Sequence, residues 1–330
     1  MLVFRPAGGL GNLVSVLRFR LMRAPFLHDQ KSGTPPPAGQ LCARPASLTL
    51  GRMESMPAPL LDAHCHIQDE AFAADRAEVM ARARQAGVGF FVCNGVSEPD
   101  WEALAGLAAS DGSILPAYGL HPWYTRQRSH NWREILEHRL SQAPVPVGEI
   151  GLDRFLRERD EADMERVFRE QLSIARRLER PAFIHCVRAF DWLIEVLRSE
   201  PELPAGMLIH ACAAPLSAMS ELAKRGAYFS FAGTVLAPNN RRAREALLAA
   251  PLERLLFETD SPDLPPPPEH RLPVPGDGRY RNEPGNLPVI VREAARLRGL
   301  EEYELRARLF DNARRFLGRF YPALRAPEAP

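Results

Sequence analysis

From Pro59 onward, short apolar runs of strand length alternate with longer segments whose apolar residues recur at helical spacing. Runs at 60–64, 89–94, 114–120, 145–150, 182–186, 207–211, 227–231 and 255–258 predict eight strands. The segments 73–86, 101–109, 132–140, 163–178, 190–197, 216–224 and 240–248 predict the intervening helices, and 287–298 and 302–316 predict two more at the end. Single-helix crossovers require parallel neighbours. Eight such units fit a closed (β/α)8 TIM barrel, an α/β single domain, better than an open sheet.

The first 58 residues break this pattern. They carry arginines, glycines and prolines with only Asp29 and Glu54 as acids, and no window sustains period 2 or period 3.6. We therefore expect a disordered extension over 1–58, the barrel over 59–320 and a short tail over 321–330. An Arg-rich, acid-poor leader has the composition of an organelle transit peptide. The lack of a sustained amphipathic helix favours the other reading, translation from Met53 or Met56 with the upstream residues a start-site artefact.

With 45% hydrophobic and 25% charged residues, the 330-residue chain has the composition of an ordinary globular enzyme. A net charge of +1 gives no global argument for a polyanionic partner, so partners must be read from the site. Of the 42 cationic residues only Lys31 and Lys224 are lysine, a bias that reflects codon usage more than chemistry. No apolar run reaches the ~18 residues of a membrane span, because Arg18, Arg20 and Arg23 interrupt the most hydrophobic N-terminal stretch. Five cysteines without a C-x-x-C pair suit a reducing cytoplasm. No membrane association is expected, and nothing implies an obligate protein partner.

Six metal-ligand side chains fall at or near predicted strand ends: His64, His66, Glu149, His185, His210 and Asp260. Strand alternation puts His64 and His66 on one face and Cys65 on the other. Glu149 lies in Val147-Gly-Glu-Ile-Gly-Leu-Asp153, between glycines that would clear space around a carboxylate able to bridge two ions. His185 and His210 each follow an aliphatic run. One alone would read as a core histidine; two at the same barrel depth read as ligands. Asp260 follows Leu255-Leu-Phe257 at the mouth, where such barrels place their chemistry.

Four histidines and two carboxylates suit Zn²⁺, Mn²⁺ or Fe²⁺ better than Mg²⁺. Six protein ligands exceed the three of an open catalytic zinc, so two ions sharing Glu149 distribute them better. Such a pair activates water, which points to hydrolysis.

The ordered motifs Asp62-Ala-His-Cys-His66, Gly119-Leu-His-Pro122, Gly148-Glu-Ile-Gly-Leu-Asp153, Ile184-His-Cys186, Glu258-Thr-Asp-Ser-Pro262 and Arg281-Asn-Glu-Pro-Gly-Asn-Leu-Pro288 resemble the TatD family of metal-dependent deoxyribonucleases, among the amidohydrolase-like barrels. The resemblance spans 60–316. It implies that His64 and His66 hold a first ion, His185 and His210 a second, that Glu149 bridges, and that Asp260 ligates the first and acts as base. Asp260, His121 and Glu149 would be the catalytic set, with two divalent ions (Zn²⁺, Mn²⁺ or Mg²⁺). His121 would contact the scissile phosphate or the leaving group; its alternative is a loop histidine capping a helix. The implied substrate is DNA or an oligonucleotide. Amide or ester hydrolysis on the same barrel is the alternative, because fold does not fix function. Two motifs depart from the family pattern. His185-Cys-Val-Arg188 replaces the usual His-x-Arg, shifting or removing the phosphate-binding arginine, and His210-Ala-Cys-Ala-Ala-Pro215 replaces His-x-Phe and its small-residue turn.

Around the mouth, Arg154, Arg157, Arg159, Arg188, Arg241, Arg242, Arg271, Arg279 and Arg281 fall in or beside βα loops, either to steer phosphates or simply as solvated surface. Trp123 and Tyr124 follow His121 and can stack a base, a contact worth ~1–3 kcal/mol, although one of them is expected to pack under the loop. His121, Arg188 and Trp123 are thus the substrate-contact candidates. The proline run 262–275 predicts a stiff flap, and Asn286 an N-cap for the helix after it. Lastly, if the sixth strand runs to 211, Cys212 shares a face with His210, and a reactive thiol is expected near the second ion while Cys65 and Cys186 point away.

Overall fold

The apolar runs become parallel strands, because a run buried on both faces needs strand neighbours beside it and helices outside. The computed structural model describes residues 58–273 and 280–324. Within them the order is β1 Leu60–Cys65, α1 Arg76–Gln85, β2 Val88–Gly95, α2 Glu98–Ser110, β3 Ile114–Tyr118, α3 Trp132–Gln142, β4 Val147–Asp153, α4 Glu161–Arg177 and β5 Ala182–Val187. Then follow α5 Phe190–Ser199, β6 Met207–Ile209, α6 Leu216–Lys224, β7 Tyr228–Phe231, α7 Arg241–Ala249, β8 Leu255–Phe257, α8 Leu287–Arg298 and α9 Glu302–Leu317. The strands lie in sequence order in one sheet and each consecutive pair from β1·β2 to β7·β8 is parallel, giving the expected (β/α)8 barrel. Among the described residues no helix is long and apolar enough to cross a membrane.

The seam between β8 and β1 is joined beyond the end of β8. Asp260 N–H donates to the His64 carbonyl (2.9 Å) and His66 N–H to the Ser261 carbonyl (2.9 Å). Thr259 donates from its N–H (2.9 Å) and its hydroxyl (2.5 Å) to the buried Asp62 carboxylate. Closing the ring therefore also sets Asp260 beside the β1 histidines.

Helix α4 shows how the outer layer holds a site loop. Met164, Val167, Phe168, Leu172 and Ile174 bury one face at helical spacing, each such side chain contributing about 1.5–3 kcal/mol. Asp160 caps the helix by accepting from Asp163 N–H (3.0 Å). On the buried face Gln171 accepts from Leu120 N–H (2.7 Å) and donates to the Leu120 carbonyl (3.0 Å). The indole of Trp101 donates to the Gly119 carbonyl (2.8 Å). The segment before His121 is thus pinned from both sides.

Beyond small shifts at element ends, several features differ from the sequence expectation. β6 stops at Ile209 instead of 211, because Ala211 adopts a left-handed φ of 43° and turns the chain away. β4 runs on to Asp153, so Glu149 lies within the strand and not at its end. The glycines beside Glu149 clear space for β5 instead of for the carboxylate: a Cβ on Gly148 would lie 2.5 Å from Phe183 Cβ, and one on Gly151 2.0 Å from the His185 carbonyl oxygen. Past residue 320 packing continues, since Tyr321 and Leu324 are buried and the Tyr321 hydroxyl donates to the Pro116 carbonyl (2.9 Å). Apart from Ala58, the extension expected over 1–58 lies outside the described residues.

Candidate metal centre

All six side chains singled out as ligands meet at the barrel mouth, and Glu149 divides them. Its Oε2 lies 3.1 Å from His64 Nε2 and 3.6 Å from His66 Nε2. Its Oε1 lies 2.9 Å from His185 Nδ1 and 2.8 Å from His210 Nε2. Asp260 Oδ1 faces the first pair only, 3.6 Å from His64 and 3.4 Å from His66. Within the pairs the ring nitrogens are 3.2 Å (His64, His66) and 3.1 Å (His185, His210) apart. Ring nitrogens at that distance share either a proton, as an N–H···N hydrogen bond, or a metal ion that takes a lone pair from each. The donor set thus fits divalent metal ions, with imidazole nitrogen and carboxylate oxygen together.

Backbone geometry aims these groups. Arg188, Ala211 and Asp260 have positive φ (54°, 43° and 51°), each a conformation costing about 1–3 kcal/mol for a non-glycine residue. All three lie at turns by which the chain leaves β5, β6 and β8.

Electrostatics favour positive charge here. Burial would neutralise Glu149, but His210, His121 and His64 outweigh it and hold the carboxyl well below its usual range. Asp260 is likewise buried, yet lowered by its bond to His66 and by the charges of His64 and His210. Burial opposes protonation of His66, and the Asp260 bond with the Glu149 and Asp260 charges overcomes it, raising the ring to about 10. His185 and His210 are raised despite burial, by Asp153 and Glu149 in the first case and by Glu149 and Glu258 in the second. His64 goes the other way, lowered by burial and by His210.

His121 caps a turn and also lies beside the cluster. Its Nδ1 accepts from Trp123 N–H (3.2 Å), capping a 3-10 turn at Pro122–Gln127. That leaves the proton on Nε2, which lies 3.4 Å from Glu149 Oε1. Burial lowers its pKa to about 4, so the ring is neutral near pH 7.

Several contributors escaped the sequence reading. Asp153 Oδ2 lies 3.3 Å from His185 Nε2, and buried Glu258 lies 3.5 Å from His210 Nδ1 while accepting from Ala211 N–H (2.6 Å) and the Ser230 hydroxyl. The Asn94 carbonyl accepts from His66 Nδ1 (2.9 Å). Asp153 had a signal: it is four residues from Glu149 on one strand, and even spacing predicts a shared face.

The rim is less basic in effect than in composition. Arg154 pairs with Asp191 (2.8 Å) and Glu161, Arg159 with Glu161 (2.8 Å), and Arg281 with Asp75 (2.7 Å) and Glu283 (2.8 Å). Arg271 donates to the Pro266 carbonyl and lies over Tyr280. Arg157, Arg188, Arg241 and Arg242 make no ion pair among the described residues. Arg188 is exposed and lies over the Phe155 ring (4.7 Å), and Arg279 falls outside them. Trp123 is 42% exposed, whereas Tyr124 packs against the core. The flap's Pro266 seats on Gly233, where a Cβ would come within 2.6 Å of its nitrogen; residues 274–279 are not described. Asn286 holds the N-cap position of α8 without capping it, because its Oδ1 accepts from Leu272 N–H (2.9 Å).

Cys212 corrects its expectation. With β6 ended at Ile209, alternation no longer links it to His210; the thiol is buried, and burial pushes it up to about 12. It is an inert core group. Cys65 is buried as well, its Sγ 3.6 Å from that of Cys93.

A (β/α)8 barrel that gathers four histidines and two carboxylates at its mouth defines the class of barrel metal-dependent hydrolases. The family described as TatD related DNase matches residues 61–318, and the chain belongs to that family. Among its relatives, the 3'-5' ssDNA/RNA exonuclease TatD of Klebsiella pneumoniae is 32% identical over 264 residues, covering 78% of this chain and 98% of the relative. The metal-dependent hydrolase YjjV of Escherichia coli is 32% identical over 211 residues, 62% of this chain and 80% of the relative. A crystal structure of YjjV, a TatD homologue, matches with a TM-score of 0.71 at 28% identity, covering 79% and 98% of the two chains.

Proposed function

We propose that the chain hydrolyses phosphodiester bonds of single-stranded DNA with water as the nucleophile. His64, His66, Asp260 and Glu149 would hold one divalent ion, and His185, His210 and Glu149 a second, with Zn²⁺, Mn²⁺ or Mg²⁺ as candidates. The observation that carries this reading is the division of Glu149, one oxygen toward each histidine pair. Such ions supply electrophilic pull on a phosphoryl oxygen and make water nucleophilic near neutral pH.

The chain's own groups do the rest. Asp260, ionised at the rim of the first pair, takes the proton of the attacking water. Neutral His121 donates from Nε2 to the scissile phosphate or the departing oxygen. Trp123 offers a ring face to a base and Arg188 a guanidinium to a phosphate. Stacking on Trp123 requires a base free of its duplex partner, which favours single strands, and the TatD relative is named for ssDNA and RNA. We assign the reaction to the barrel over 59–320, and to the cytoplasm, since a reducing compartment suits four buried free thiols.

The test is a screen of metal-stripped protein, re-supplied with each divalent ion, against a single-stranded oligonucleotide, the matching RNA, and a panel of amides and lactones. Ion-dependent oligonucleotide cleavage that Asp260→Asn slows ~10²–10⁴-fold is the expected result. Turnover of an amide or lactone with the oligonucleotide untouched would replace this reading by carbonyl hydrolysis.

A further inference from the structure

Trp123 touches the centre at two points. Its backbone N–H donates to His121 Nδ1 (3.2 Å), and its indole N–H donates to Asp153 Oδ2 (2.6 Å). That same carboxylate oxygen lies 3.3 Å from His185 Nε2, on the side of the ring opposite Glu149 and His210. Asp153 is itself buried and fixed, its Oδ1 accepting from Phe155 N–H (2.6 Å). An acceptor at Nε2 keeps the His185 proton there and turns the Nδ1 lone pair toward Glu149, the state a ligand needs.

The other end of this chain of contacts is in solvent. Trp123 is 42% exposed, while Trp101, Trp132 and Trp192 are buried. A buried or half-buried indole N–H needs only some acceptor. Here the acceptor chosen is the one that orients a candidate ligand.

We propose that Trp123 and Asp153 are positioning residues for His185, so that the ring offered to a nucleobase also seats one side of the metal centre. The nucleobase half of this statement rests on the reading of the mouth as a nucleic-acid site; the Trp123, Asp153 and His185 contacts do not. A base stacked on Trp123 holds its indole N–H on Asp153, and by reciprocity cation binding and base stacking strengthen one another.

The decisive experiment is calorimetric titration of Zn²⁺ into metal-stripped full-length protein without nucleic acid. Asp153→Asn should weaken Zn²⁺ binding ~10–100-fold, the usual effect of losing a group behind a ligand. Trp123→Phe keeps a stacking ring and removes only the N–H; it should weaken Zn²⁺ binding ~3–10-fold by the same route, with an unchanged circular dichroism spectrum. In turnover of a single-stranded oligonucleotide, excess Zn²⁺ should then restore kcat of Trp123→Phe. Wild-type Zn²⁺ affinity in Trp123→Phe overturns the proposal, whether Asp153→Asn is weakened or not. If no oligonucleotide is cleaved by wild type, the functional reading falls, and the calorimetry still decides the positioning role.

Discussion

The two halves of the centre place their negative charge in different layers. His64 and His66 come from a single stretch of chain, and their acid, Asp260, stands among the donor atoms at 3.6 and 3.4 Å. Behind them His66 has the Asn94 carbonyl, with the Asp100 charge acting on it from farther off, and His64 Nδ1 has no hydrogen-bond partner among the described residues. His185 comes from β5 and His210 from the turn after β6, and their acids stand behind the rings: Asp153 at 3.3 Å, and Glu258 at 3.5 Å, where charge acts although His210 Nδ1 makes no hydrogen bond among the described residues. A carboxylate among the ligands can take part in proton transfer, whereas one behind an imidazole sets its tautomer and basicity. On the proposed reading, the first half would serve chemistry and the second affinity.

Removing the one group common to both halves should have the largest effect. Glu149→Ala should abolish oligonucleotide cleavage and strip metal from the purified protein; elemental analysis showing wild-type metal content would end the bridging assignment. Next comes the acid of the first half. Asp260→Asn keeps shape but loses basicity, so kcat should fall ~10²–10⁴-fold while Zn²⁺ still binds the His185 and His210 side. Near-normal turnover would mean that another group takes the proton.

The acid behind the second half should behave differently. Glu258→Gln is expected to lower Zn²⁺ affinity ~10-fold or more, with kcat recovered at excess Zn²⁺; a kcat defect that added metal cannot repair would erase the contrast between the halves. Cys212→Ala sits outside both halves. Zn²⁺ affinity and kcat should stay at wild-type levels, and iodoacetamide should label Cys212 of the native chain as slowly as Cys65, with or without Zn²⁺. The smallest effect is expected from starting the chain at Met56: thermal midpoint and ion-dependent activity should both match the full chain, and a large drop in either would give the extension a place in the fold.

The first half was easier to read from the chain than the second. His64 and His66 lie two apart in an apolar run, so local alternation already pairs them. Pairing His185 with His210 required the barrel hypothesis, since their strands are separated by a whole helix. Cys212 was misplaced by the same alternation rule, which lapses once Ala211 turns left-handed. The rim arginines stay open in the sequence for a different reason: whether Arg154 or Arg281 faces a phosphate depends on where Asp191 and Asp75 arrive, and those residues are distant in sequence.

The sequence by itself determined the alternating elements, hence the barrel, and the six side chains that meet at its mouth, because hydrophobic period and strand-end position are local properties of the chain. Only the tertiary structure decided which oxygen of Glu149 serves which pair, which acids stand behind which histidines, and which arginines are already neutralised. Those outcomes depend on ångström-scale separations between residues of different strands, and such separations exist only after the ring has closed through Asp62, Thr259 and Asp260.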